Sequence, residues 1–240
     1  MRRRRGGYGG YGRYNRDGGY WPRYVPVAER RAKVQRQVEK QRKKGETLDP
    51  VRIEGRAIAR TFWGQAWCRH LESHGDYDNR LPRGRSYLRN GSVCDLKIEP
   101  GRVRARVAGS RLYAVDIGIK KLPGPRWAVI KKACTGGIAT AVELLKGRLS
   151  NAVMTVITHR TEGLFPRPVE IEMRCSCPDY ATMCKHVAAT LYGVGARLDD
   201  RPELLFVLRG VDHLEMIGEA VQVGRLAAER AGAGGAGGVG

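Results

Sequence analysis

The stretch Cys175-Ser176-Cys177-Pro178-Asp179-Tyr180-Ala181-Thr182-Met183-Cys184-Lys185-His186 decides how the rest of the chain is read. It holds three of the six cysteines and one of the five histidines, in the order Cys-x-Cys, six residues, Cys-x-His. Three thiolates and one imidazole are soft-to-borderline ligands. At this spacing they predict one tetrahedral Zn²⁺ site on Cys175, Cys177, Cys184 and His186. Four protein ligands leave no position for water, so the zinc is expected to be structural and not catalytic.

Working outward, Val169, Ile171 and Met173 alternate with Glu170, Glu172 and Arg174, as in a half-buried strand. A side-chain period of two then puts Cys175 and Cys177 on the same side as that apolar row. Pro178 ends the ladder and Asp179 starts a turn. Beyond His186, Val187, Leu191, Val194 and Leu198 recur at helical spacing, which predicts a helix starting between Thr182 and Lys185 with Thr182 as N-cap. Cys184 then lies at the helix entrance and His186 in its first turn. The −1 formal charge of such a centre would be partly offset by the helix N-terminus, Lys185 and Arg174. Buried or redox cysteines, with a Cys175–Cys177 bridge, are the alternative; they leave Cys184 and His186 unexplained.

At these residues the chain resembles the SWIM zinc-finger family, whose motif is Cys-x-Cys, a short spacer, then Cys-x-His. C-S-C-P-D-Y followed by C-K-H-V-A-A is similar to the bacterial branch, and the family's zinc ligands fall on Cys175, Cys177, Cys184 and His186. The strings F-W-x-x-x-W, R-G-R-S-Y, P-G-R-V-x-A-x-V-x-G-S, L-F-P and L-L-F-x-L-R-G extend the resemblance from Thr61 to Gly210. It implies a strand–strand–helix zinc module that binds DNA or another protein. It also implies association with a Swi/Snf-type helicase.

The chain of 240 residues carries a formal net charge of +20, the electrostatic footprint of a phosphate-rich partner. The first 44 residues hold fifteen Lys/Arg against three acids, so more than half of the excess lies in a tail. Residues 1–24 are rich in Arg, Gly and Tyr and too poor in aliphatics to offset their ordering entropy, so disorder is expected there. Arg2, Arg3, Arg4 and Arg5 can pair with phosphate and the interleaved tyrosines can stack on bases. The bland alternative is a solubilising tail. Residues 28–44 read as a basic solvated helix. No export-signal pattern follows Met1 and no run of about 18 apolar residues occurs, so a cytoplasmic protein, nucleoid association included, is expected, with no membrane partner.

Trp63, Trp67 and Leu71 recur every four residues after Thr61 and predict a packing helix. Asn90-Gly91 is a two-residue hairpin signal between S-Y-L-R and S-V-C-D-L-K-I, pairing Tyr87 with Cys94 on the face of Leu96 and Ile98. Pro100-Gly101 turns the chain into Val103, Ala105 and Val107, with Arg102, Arg104 and Arg106 on the other face; a strand near Tyr113 to Ile119 follows. The three arginines stand about 7 Å apart, close to phosphate spacing. An ordinary solvated face with partners such as Asp95 is equally compatible. Helices are expected near Trp127–Ala133, from Ile138 to Lys146, and after Ser150, with a further helix start at Pro202. Cys68, His70, His74 and Cys94 raise the question of a second metal site, against a packed histidine stripe; Cys134 reads as a core thiol.

These readings predict an α+β fold. A basic tail and helix (1–50) precede an antiparallel β-meander covered by the tryptophan helix (51–124), a helical segment (125–168), the zinc module with its following helix (169–212) and a C-terminal helix with a Gly/Ala-rich end (213–240). No P-loop, HExxH or nucleophile elbow occurs, which argues against an enzyme or a small-molecule substrate. The expected function is a zinc-stabilised nucleic-acid-binding accessory protein, DNA ahead of RNA, acting as adaptor to a Swi/Snf-type helicase. The alternative is a protein-interaction scaffold with a purely structural zinc finger.

Overall fold

The structure is a computed structural model that describes residues 26–43, 45–74 and 80–217. The basic helix is present as α1 (Val27–Lys43), and the tryptophan helix as α2 (Phe62–Glu72). Trp63 and Trp67 are fully buried, and each indole N–H has a carbonyl: Trp63 Nε1 donates to Leu144 O at 2.9 Å and Trp67 Nε1 to Leu191 O at 2.8 Å. Those two bonds let large rings enter the core without stranding a polar atom.

The expected hairpin at Asn90-Gly91 is replaced by a helix, α3 (Leu81–Arg89). Pro82 sits in its first turn, and Leu81, Gly84 and Leu88 form a buried stripe at helical spacing. Asn90 has φ −80°, which excludes the primed hairpin turn; Gly91, at φ +67°, ends the helix by donating to Leu88 O, while Ser92 N donates to Tyr87 O. The same Asn-Gly pair thus serves as a C-terminal cap.

The meander follows as β1 (Val93–Glu99), β2 (Arg102–Ala108) and β3 (Leu112–Ile119), and β4 (Ile171–Cys175) adds to it, giving an antiparallel sheet in the order β1-β2-β3-β4. Val103 pairs with Ile117, Ala105 with Val115 and Val107 with Tyr113, so one face is apolar. An irregularity between Val93 and Asp95 shifts β1, and Val93, not Cys94, takes the core position. The strand that leads into the Cys/His motif is therefore the fourth strand of the main sheet.

The intervening segment forms α4 (Gly124–Cys134), α5 (Ala141–Lys146) and α6 (Asn151–Ile157). The side chains of Thr140 and Ser150 cap α5 and α6 by accepting from Glu143 N and Val153 N. Cys134 is a core thiol, its pKa pushed up to about 11 by burial.

α7 (Lys185–Asp200) touches all four strands and also packs on α2, α3 and α8 (Glu203–Arg209). The sheet is thus covered by the helix that follows the Cys/His motif, with the tryptophan helix packed on α7. Asp199, on the last turn of α7, accepts from Arg60 N, Thr61 N and Thr61 Oγ1 and so fixes the start of α2.

Before β4 the expected strand alternation fails. Pro168–Glu170 is a 3₁₀ turn in which Val169 is 76 % exposed and Glu170 is buried. The reason is ionic. Glu170 accepts from Arg167 N (2.9 Å), from Arg126 and Arg209 (3.3 Å each) and from the Arg167 guanidinium (3.4 Å), and Arg126 and Arg209 are themselves buried. A buried charge persists when it is paired and hydrogen-bonded, and this carboxylate has three guanidinium partners.

Candidate metal centre

Cys175 ends β4 opposite Val115 on the face turned toward α7. The ladder runs one residue further, with Ser176 N donating to Ala114 O and Ala114 N to Ser176 Oγ. Pro178 then stops it, and Asp179 makes the turn by accepting from Ala181 N at 3.3 Å and from Arg80 at 3.1 Å. This returns the chain to α7, whose N-cap is Cys184, two residues beyond the Thr182 expected for that role. Cys184 and His186 are buried, Cys175 and Cys177 half-buried.

One ligand atom from each of Cys175, Cys177, Cys184 and His186 lies within 4.8 Å of all the others. His186 presents Nδ1, which is 3.9 Å from Cys175 Sγ and 3.8 Å from Cys184 Sγ. A tetrahedral ion with bond lengths near 2.0–2.3 Å would set such donors about 3.5–3.8 Å apart, so only a small contraction separates the four atoms from a coordination shell. The cluster can hold one metal ion.

Electrostatics favour a cation there. The Cys184 thiol is pushed down to about 3, first by the hydrogen bond from Cys175, with His186 and the Val187 N–H at the start of α7 adding to it. Cys175 moves the opposite way, because its proton is held by Cys184 and because it is buried. The pair thus favours a thiolate at Cys184, and binding of a metal ion would release the protons that the ligand thiols still hold. Arg174, expected to offset the charge, is on the exposed face of β4 with Glu172 at 3.8 Å. The cations near the centre are instead Lys185, above the Tyr87 ring, and Arg111, above the Tyr113 ring.

Those two tyrosines flank the His186 imidazole, with ring centroids 5.4 Å (Tyr87) and 4.5 Å (Tyr113) away. The His186 Nε2 atom is buried without a hydrogen-bond partner and faces the β2–β3 turn, where a Cβ on Gly109 would come within 2.9 Å of it. The sequence reading missed the turn residue and the place of both tyrosines beside His186: it set Tyr87 opposite Cys94 in a hairpin and Tyr113 at the start of a strand.

The second group of metal-type residues does not assemble. His70 Nε2 donates to Pro166 O at 2.9 Å and His74 Nδ1 to His70 O at 2.7 Å, with the two rings in edge contact. Cys68 lies by Glu72, Arg85 and Tyr192, its thiol pushed up to about 12 by burial, and Cys94 bonds Ser92 O. Among the described residues, the Cys175–His186 set is the one cluster of metal-type ligands.

The arginine row on β2 is exposed or half-exposed, and each member has a carboxylate: Arg102 pairs with Asp116, Arg104 with Glu99 and Arg106 with Glu46. Asp95, expected on that face, is buried and accepts from Asp49 N. Arg2, Arg3, Arg4 and Arg5 lie outside the described residues. No helix among the described residues is long and apolar enough to cross a membrane.

No family model matches the chain, and no solved structure matches it. Over 164 residues the chain is 37 % identical to the uncharacterized protein Rv2102 of Mycobacterium tuberculosis. That similarity covers 67 % of this chain and 59 % of the relative, less than two thirds of that protein's length.

Proposed function

We propose that the chain is a non-enzymatic, zinc-stabilised nucleic-acid-binding accessory protein, DNA ahead of RNA, that works as an adaptor to a Swi/Snf-type helicase. The observation that carries the zinc part is the four-donor cluster, in which Cys175, Cys177, Cys184 and His186 all converge. Three thiolates and an imidazole suit zinc over harder cations, and four protein donors fill a tetrahedral shell. The net charge of +20 supports a polyanionic partner, and the SWIM resemblance supports the helicase.

A protein-interaction scaffold is the second reading. It is favoured by the carboxylates on Arg102, Arg104 and Arg106, which leave that sheet face close to neutral. Binding of the full chain to duplex DNA, single-stranded DNA and RNA, measured across a range of salt, separates the two. The adaptor reading expects affinity that falls linearly on a log–log plot, and a chain with Arg2 to Arg5 replaced by Ser that falls less steeply. No salt-dependent binding to any of the three would leave the scaffold. One equivalent of zinc by metal analysis, and no ATPase or nuclease turnover, complete the test.

A further inference from the structure

Between α2 and α6 runs an open groove of about 510 Å³, lined on one side by Phe62 and Arg69 and on the other by Asn151, Met154, Thr155 and Arg160. Its cations differ from those of the sheet face. Arg69 reaches Gln65 Oε1, at 3.4 Å, at the border with a neighbouring hollow that Glu72 also lines, and Arg160 donates to Ser73 O at 3.0 Å; among the described residues neither forms an ion pair, and no described Asp or Glu lines the groove itself. Arg80, Arg85, Arg102, Arg104, Arg106, Arg126, Arg197 and Arg209, by contrast, all have carboxylates.

The wall behind the groove adds to its positive potential. Arg126 donates to Thr161 O, next to Arg160, and belongs to the cluster in which three guanidiniums share the single carboxylate of Glu170. That excess charge is held in a poorly screened interior, so its field reaches the groove. Along the rim the Asn151 side chain and the Thr155 hydroxyl supply neutral polar groups, while Phe62 and Met154 supply an apolar floor. A concave track with unneutralised arginines, polar rim groups and an apolar floor suits one strand, backbone and bases together.

We propose that the α2–α6 groove binds single-stranded nucleic acid, with Arg69 and Arg160 as phosphate contacts and Phe62 and Met154 beneath a sugar or base. The inference rests on the nucleic-acid reading above and says where, and on which form, the folded part of the chain acts.

The test is fluorescence anisotropy of a labelled oligothymidylate with the full-length, zinc-loaded chain, titrated at several salt concentrations. Each phosphate contact to a single strand contributes about 0.7 to the slope of log affinity against log salt. The double variant Arg69→Gln/Arg160→Gln is therefore expected to lower the slope by about 1.4, which corresponds to an affinity loss of about 25-fold at 0.1 M salt relative to 1 M. Arg69→Lys/Arg160→Lys should restore most of the slope, which a merely structural role for these side chains would not predict. The charge-matched variant Arg52→Gln/Lys97→Gln, at exposed positions on and before β1, should leave the slope unchanged. Equal losses in the two Gln doubles would reduce the effect to net charge, and an unchanged slope in the groove double would also overturn the proposal. If the unaltered chain binds no nucleic acid in a salt-dependent way, the functional reading itself falls and the groove proposal goes with it. Binding by the parent chain with no effect at the groove would sink only the latter.

Discussion

Replacing Glu170 by Gln tests the ionic hub that delivers the chain into the metal strand. The carboxylate is 4 % exposed, and two of its partners, Arg126 and Arg209, are 9 % and 0 % exposed. Gln keeps the size and one acceptor oxygen but removes the charge, and its amide group would face a guanidinium. Two buried cations then stand together without a counter-charge. Removing one partner of a buried pair costs about 3–5 kcal/mol. With a urea m-value near 2 kcal/mol/M, the unfolding midpoint at pH 7 should fall by about 1.5–2.5 M.

The pH dependence gives an independent check. Burial alone would raise the Glu170 pKa, but the Arg167 N–H and the charges of Arg209 and Arg126 outweigh it and hold the carboxyl below its ordinary value. A carboxyl with a lowered folded pKa contributes stability that is present above its unfolded value, about 4.3, and is lost as pH falls through the folded value. Glu170→Gln lacks that contribution, so the gap between parent and variant should narrow on acidification. Urea titrations monitored by tryptophan fluorescence, at pH 7 and at steps below pH 5, measure both. A loss under about 1 kcal/mol at neutral pH, or a gap that does not shrink in acid, would refute the assignment of Glu170 as the counter-charge.

Cys184→Ser should release the metal and expose the amides of β4 and of residues 176–184 to hydrogen exchange, while most of α7 stays protected; metal analysis with exchange mass spectrometry reads both. Gly109→Ala should weaken metal binding at least tenfold in a chelator competition, because the added Cβ meets His186 Nε2 at 2.9 Å and Tyr113 Cε2 at 2.7 Å; Gly124→Ala, with nothing within 4 Å, is the control. Asp199→Ala should cost about 1–2 kcal/mol in denaturant unfolding, since three donors at the start of α2 lose their acceptor.

The convergence of Cys175, Cys177, Cys184 and His186 was legible because its causes are local: a period of two before the motif and a helical period after it already aim the four side chains at one point. The three strands of the meander were legible for the same reason. Errors arose where a local signal has two structural uses. Asn90-Gly91 serves a hairpin turn or a helix C-cap, and the choice was made by Leu81, Gly84 and Leu88, whose stripe has a surface to bury only once α7 is in place. Val169 fits a strand alternation, yet the pull of Arg126 and Arg209 on Glu170 turns that segment into a 3₁₀ turn. The arginine row was read correctly as a face, but its neutralisation by Asp116, Glu99 and Glu46 draws on three separate parts of the chain. Arg102 and Arg104 find their carboxylates on the flanking strands, which follows only from the register, and the Arg106–Glu46 pair spans 60 residues, so no local pattern announces it.

The placement of β4 changes what the metal does for the fold. In a separate zinc module, the ion would hold a small unit that has no other core. Here Cys175 belongs to the edge strand of the main sheet, and Cys184 and His186 open the helix that covers that sheet. The ion would therefore clamp an edge strand to a central helix, and the two elements differ in how much else holds them. α7 buries Leu191, Val194 and Leu198, worth roughly 5–9 kcal/mol together, and is further tied to α2 through the Trp67 indole. β4 has five residues, only half-buried on its inner face, and a ladder on one side. Metal binding energy is then spent chiefly on β4, the Asp179 turn and the first turn of α7. That places Tyr180 and Lys185 on a part of the surface whose order would depend on the metal, while no residue lining the α2–α6 groove belongs to those segments.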